Sequence, residues 1–164
     1  MRTIFFIIFA AFLTFWGSAD VLAQSIVTLR IWQPEIVPAY KLGEPISILI
    51  EISNQSSSQI TLRDSDDIDE RANAYLVDVK GLGGKQADFT AAGRRAYGGD
   101  HVFNPGVYRA SALAAGAKIV HELRLEKIYN IVTPGHYVVR IGRDIELGPT
   151  TKRIWSNNLM IEVQ

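Results

Sequence analysis

The sequence predicts an all-β fold: two antiparallel sheets packed as a sandwich of about seven strands, with one long glycine-rich insertion. Three observations predict it. Ile46, Ile48, Ile50 and Ile52 recur at strict two-residue spacing; Tyr137, Val139 and Ile141 alternate with His136, Val138 and Arg140; and no sustained helical period follows the N-terminal apolar run. A closed barrel is the alternative arrangement of the same strands.

The chain opens with Arg2, a largely apolar run from Ile4 to Trp16, and Val21-Leu22-Ala23, the layout of a secretory signal peptide. Residues 1–23 are therefore expected to be removed, and residues 24–164 to form one domain. The apolar run is shorter than the roughly 20 residues that cross a bilayer, so no membrane span is expected after cleavage. Ser25 to Trp32 reads as the first strand. Gln33 to Gly43 reads as an irregular crossing, because Pro34 and Pro38 would interrupt a ladder. Ile46 to Ser53 is a strand with one β-branched face, Asn54 to Ser58 a polar turn, and Gln59 to Leu62 the return strand. Ala74 to Lys80 is a further strand, with Tyr75, Val77 and Val79 on one face. From Gly81 to Gly116 the chain carries eight glycines and Pro105, too broken for a helix and strand-like only around Asp88 to Thr90 and His101 to Phe103. Lys118 to Leu125 restores alternation, with Ile119, His121, Leu123 and Leu125 sharing a face. Tyr129 to Thr133 leads into the strand from His136 to Ile141; a second loop follows, and Leu159, Ile161 and Val163 mark the last strand.

The 17 basic and 17 acidic residues cancel to zero formal charge, which argues against a general nucleic-acid binder, since such proteins need a basic excess to displace phosphate counterions. There is no cysteine. Disulfide staples and lipid attachment through an N-terminal cysteine are both closed, and the core alone must hold the fold. A cysteine-free exported chain fits a bacterial periplasmic or secreted setting better than a small disulfide-rich module.

Gly43-Glu44-Pro45-Ile46, Ser53-Asn54, Leu113-Ala114-Ala115-Gly116, Pro134-Gly135-His136-Tyr137 and Ser156-Asn157 punctuate the strands. In this punctuation the chain resembles bacterial exported immunoglobulin-like (fibronectin-III-like) domains of unassigned function, over nearly all of residues 24–164. Tyr137, after Pro-Gly at the mouth of the next-to-last strand, resembles the tyrosine corner of such sandwiches, where the hydroxyl bonds to upstream backbone. The resemblance implies fold and no catalytic or binding residue.

Asp64, Asp66, Asp67 and Asp69 are weak candidates for a calcium site, because calcium takes several carboxylate oxygens from one loop; the spacing fails the EF-hand pattern, and a solvated charge run is the plainer reading. Gly81-Leu82-Gly83-Gly84 lacks both nucleotide fingerprints and reads as a hairpin turn. The same four residues resemble one loop of the chagasin-like cysteine-protease inhibitors, although the two other loops of that family are missing. Asn54-Gln55-Ser56 has the form of a glycosylation acceptor, or of a plain polar turn. His121 reads as a hydrogen-bonded core or seam residue, with His101 and His136 facing solvent. No acid, base and nucleophile converge, no zinc-ligand spacing occurs, and no cofactor is implied.

Phe89, Arg94, Arg95, Tyr97, Phe103, Tyr108 and Arg109 place rings and guanidinium groups on the glycine-rich segment, the composition of an interaction surface. In the plainer alternative the rings plug the open end of the sandwich and the arginines face water. The expectation is a non-enzymatic exported binding domain with a protein or cell-envelope glycan partner; a chagasin-type protease inhibitor and a structural spacer in an envelope assembly are the alternatives.

Overall fold

The computed structural model describes residues 27–35, 37–64, 74–97, 109–147 and 150–164. In chain order these form β1 (Val27–Trp32), β2 (Ser47–Asn54), β3 (Ile60–Asp64), β4 (Leu76–Gly81), β5 (Asp88–Phe89), α1 (Ala91–Tyr97), β6 (Arg109–Leu113), β7 (Lys118–Arg124), a 3-10 turn (Leu125–Lys127), β8 (Tyr129–Asn130), β9 (Gly135–Leu147), β10 (Thr150–Trp155) and β11 (Leu159–Val163). The described residues are nearly all β, with antiparallel sheets and almost no helix. The expected signal peptide, Asp66, Asp67, Asp69 and the segment His101 to Phe103 lie outside the described residues.

One sheet has the order β1-β2-β7. Its centre is the isoleucine strand, where Ile50 stands opposite Ile31 on one side and His121 on the other. Ile46, Ile48, Ile50 and Ile52 are all buried, as their spacing requires. The larger sheet is organised by β9, thirteen residues long. Val139 pairs with Leu159 of β11 and Val79 of β4, and Gly142 with Trp155 of β10 and Leu76 of β4. β10 and β11 thus follow one edge of β9 while β3 and β4 follow the other, and β6 extends the sheet beyond β3. Inward rows from both sheets form one core, including Ile31, Ile48, Ile50, Val79, Val139, Ile141 and Ile145. Each fully buried aliphatic side chain contributes roughly 1.5–3 kcal/mol, which makes staples unnecessary.

The structure corrects the expected second loop after Ile141. Residues 142–155 are instead an antiparallel hairpin, β9 running on to Leu147 and β10 returning to Trp155. The inward row of β9 continues through Arg143 to Ile145, and an arginine at that position hides the apolar alternation. Arg143 is 1% exposed; its Nη2 donates to the Arg63 carbonyl at 2.9 Å and its guanidinium carbon lies 4.8 Å from the centre of the Tyr75 ring. The Tyr75 hydroxyl is 2.5 Å from His121 Nδ1. His121 therefore sits at the seam between sheets, as expected.

A second correction concerns the glycine-rich segment, which does contain a helix, α1. Thr90 starts it, its hydroxyl accepting from the Gly93 N–H at 2.9 Å while donating to the Lys127 carbonyl at 2.7 Å. The glycosylation reading also fails. Asn54 is fully buried, and its Nδ2 is committed to the carbonyls of Ser58, Leu113 and Ala114 at 2.8–3.0 Å. The Tyr137 hydroxyl donates to the Thr133 carbonyl at 2.7 Å, the local closure expected of the corner.

Candidate functional site

The end of the fold at the Tyr137 corner gathers the glycine turn after β4, the short β5–β8 pair and α1. The turn is held by backbone bonds: Gly84 N–H to the Gly81 carbonyl at 2.8 Å, Gly81 N–H to Lys85 at 3.0 Å and Ala87 N–H to Val79 at 2.8 Å. Lys80 and Gln86 face each other across it, so it is the hairpin turn expected from sequence. A further bond from the Leu82 N–H to the His136 carbonyl, 3.2 Å, ties it to the start of β9.

Beneath the turn lies Tyr129, 1% exposed. Its hydroxyl donates to the Val77 carbonyl at 2.6 Å and accepts from Gln86 Nε2 at 3.0 Å. Burial, reinforced by the Asp78 carboxylate, pushes this hydroxyl up from 10.0 to about 12, so it stays a protonated donor. Phe89 stacks on Tyr129 with ring centres 4.8 Å apart, and α1 closes over the 3-10 turn. The approach is so close that a Cβ at Gly93 would stand 2.0 Å from the Ile128 carbonyl oxygen.

Between residues 81–88 and residues 130–137 opens a cleft of about 390 Å³, lined among others by Leu82, Lys85, Asp88, Asn130, Val132 and His136. Leu82 and Val132 are 65% and 61% exposed. The side chains of Lys85, Asp88 and Asn130 make no hydrogen bond or ion pair with any described residue. His136 Nδ1 faces Glu162 at 3.9 Å.

The structure distributes the sequence-predicted residues unevenly. Phe89 is half-buried and packed on Tyr129. Arg94 and Arg95 are exposed on α1, with Arg94 Nη1 donating to the Phe89 carbonyl at 2.9 Å. Tyr97 ends α1, and Arg109 opens β6 opposite Asp64 of β3. Phe103 and Tyr108 lie outside the described residues. Sequence reasoning missed Asn130, Val132 and His136 as partners of the glycine turn. The available signal was Ile131-Val132: in an extended segment adjacent side chains point oppositely, so one of the two apolar groups must face outward. Among the described residues no group of three or more His, Asp or Glu is placed to hold a metal ion.

These features define a nearly all-β protein of antiparallel sheets with a cleft at one end. No family model matches the sequence, and no curated protein matches it. Among solved structures, the C-terminal domain of wzt is similar over 85% of this chain and 74% of that one, at 11% identity and a TM-score of 0.46. A CARDB domain from Pyrococcus furiosus, solved in complex with di-metal ions, is similar over 84% and 87% at 10% identity and a TM-score of 0.40. A β-glucosidase from Listeria innocua in complex with glucose is similar over 84% of this chain and 16% of its own, at 13% identity and a TM-score of 0.41.

Proposed function

We propose that this chain is a non-enzymatic exported immunoglobulin-like domain that binds an extended protein segment at the end formed by the glycine turn and the Tyr137 corner. The observation that carries the reading is the cleft itself: Lys85, Asp88 and Asn130 uncommitted around it, with Leu82 and Val132 exposed at its sides. Concave sites that combine apolar walls with a few unpaired polar groups are where ligands gain both area and orientation. The Tyr137–Thr133 bond and the buried alternating strands support the immunoglobulin-like assignment, and the apolar N-terminal run supports export. A protein segment fits this cleft better than a glycan. Phe89 is spent on packing against Tyr129 and Tyr137 is only 9% exposed, so no described aromatic face lies open there for a sugar ring.

Selection of displayed peptides against the full chain tests this. Selected peptides are expected to protect the amides of residues 82–88 and 130–136 from hydrogen exchange. Leu82→Asp should weaken them about thirtyfold, the effect of losing an anchor of roughly 2 kcal/mol. Protection mapping only to α1 would move the binding face to Arg94 and Arg95. Absence of any selected peptide would leave the spacer reading in its place. Leu82 at the tip of the turn also suits insertion into a protease cleft, and inhibition of papain-like enzymes, lost in Leu82→Asp, would select the inhibitor reading.

A further inference from the structure

Away from the cleft, the outer face of the β9–β10 hairpin carries an indole laid flat on the sheet. Trp155 pairs with Gly142, and a Cβ on Gly142 would stand 2.9 Å from Cε3 and Cζ3 of the ring. Glycine is what allows the ring to lie down on the strand. Trp155 nevertheless remains 39% exposed, so a large rigid apolar surface is presented to solvent. Along β9 the same face carries Arg140 on one side of Gly142 and Asp144 on the other. The Arg140 guanidinium carbon lies 4.7 Å from the Trp155 ring centre, and none of its N–H groups is bonded to a described residue. Asp144 is held by Arg153 through two bonds, 2.7 and 3.0 Å. On the neighbouring strand Lys80 pairs with Asp78 at 2.9 Å. The two pairs neutralise themselves, so the patch keeps the single positive charge of Arg140.

We propose that this face is a second binding site, for a carboxylate-bearing glycan. A saccharide ring places its C–H face on the part of the Trp155 indole that the guanidinium over it leaves open, and its carboxylate takes the planar fork of Arg140, which matches two oxygens at once. The charge balance selects an acidic sugar over a neutral one, because Asp78, which stands opposite Arg140 in register, is taken by Lys80 and leaves Arg140 in no ion pair with a described residue. The path from Arg140 to Asp144 covers about 13 Å of strand, room for a short oligosaccharide rather than a single ring. Edges of the Arg153–Asp144 pair remain exposed, at 50% and 47% of their side chains, to meet hydroxyl groups. The site shares β9 with the peptide cleft but none of its residues, since the cleft takes residues 135–137 of that strand and this face takes Arg140, Gly142 and Asp144.

Titration of the full chain with oligouronates from alginate, read by intrinsic tryptophan fluorescence and calorimetry, tests it. The expected result is saturable binding that shifts the tryptophan emission. Trp155→Ala should weaken it at least tenfold, and Arg140→Lys should weaken it severalfold although the charge is kept. Carboxyl-reduced oligomers of the same length should bind at least tenfold more weakly. Arg140→Ala, an exposed change with no hydrogen bond to lose, serves where Trp155→Ala does not fold. The proposal is overturned by absence of saturation at 10 mM oligouronate, by equal affinity for the reduced oligomers, by unchanged affinity in Arg140→Ala, or by polyacrylate binding as tightly as the uronates.

Discussion

The Asn157 carboxamide pairs with both backbone groups of Ile31: Ile31 N–H donates to Oδ1 at 2.9 Å, and Nδ2 donates to the Ile31 carbonyl at 3.1 Å. A side chain thereby imitates one rung of a ladder and joins β1 of the smaller sheet to the β10–β11 junction of the larger. The junction itself is made by Ser156, whose N–H donates to the Ile141 carbonyl at 2.8 Å and whose hydroxyl accepts from the Ile141 N–H at 3.0 Å. One continuous edge along β9 is thus split into two strands, and the split frees Asn157 to reach across.

Asn157→Ala should destabilise the protein by about 1–2 kcal/mol, because two partly buried backbone groups lose their partner together. Asn158→Ala, one residue on and exposed, should stay within about 0.5 kcal/mol of wild type. Urea denaturation midpoints of the two variants check this; equal midpoints would mean that the Ile31 pairing adds no net stability.

Gly93→Ala offers a test in which two effects oppose. Alanine favours a helix over glycine by about 1 kcal/mol, so propensity alone predicts stabilisation of α1. Packing predicts the reverse, since the new Cβ would fall 2.0 Å from a backbone oxygen that no rotamer change can move. We expect packing to dominate: a lowered melting temperature and faster exchange at the Thr90 amide, which donates to the Ile128 carbonyl at 2.9 Å. A raised melting temperature would show that α1 is not docked on Ile128.

The contrast between α1 and β2 explains what was legible in the sequence. Four isoleucines at period two leave no alternative to a buried strand, and the Pro-Gly before Tyr137 marks a corner whose bond forms within five residues. α1 was missed because its glycine is demanded by Ile128, far along the chain, while its local signal, Thr90 before Ala91-Ala92, is short. The extension of β9 was missed because Arg143 occupies an inward position; burial of that arginine depends on Tyr75 and Arg63, which no local pattern reveals. The cleft was half legible. Its glycine turn stood out, but the facing wall at Asn130 to Val132 read as connection, since only tertiary pairing of β5 with β8 brings it alongside.

Tyr129 links stability to alkaline pH. Its folded-state value near 12 exceeds the unfolded 10.0, so between those values the unfolded chain releases a proton that the folded chain keeps. Its contribution is therefore complete below pH 10 and is lost as pH rises toward 12, by at most about 3 kcal/mol. Tyr129→Phe removes the titration along with the bond to Val77. Its stability deficit relative to wild type should shrink between pH 10 and pH 12, measured by denaturant unfolding at each pH. A deficit constant across that window would place the tyrosinate equilibrium elsewhere.

Tyr137→Phe tests the corner on which the cleft is built. The ring stays in the core, so the loss is confined to one hydroxyl and the Thr133 carbonyl it satisfies, and the expected cost is about 0.5–1.5 kcal/mol. The effect should also be local. Thr133 and Pro134 line the cleft beside His136, and His136 holds Leu82 through its carbonyl, so releasing Thr133 loosens one wall while the other keeps its bonds to Tyr129. Hydrogen exchange should then quicken at Leu82, whose amide depends on the His136 carbonyl, and remain unchanged at Ala87, whose amide is held by Val79. Equal acceleration at both would mean that the corner stabilises the whole end of the fold, and no acceleration at either would mean that the Thr133 bond does not position the cleft.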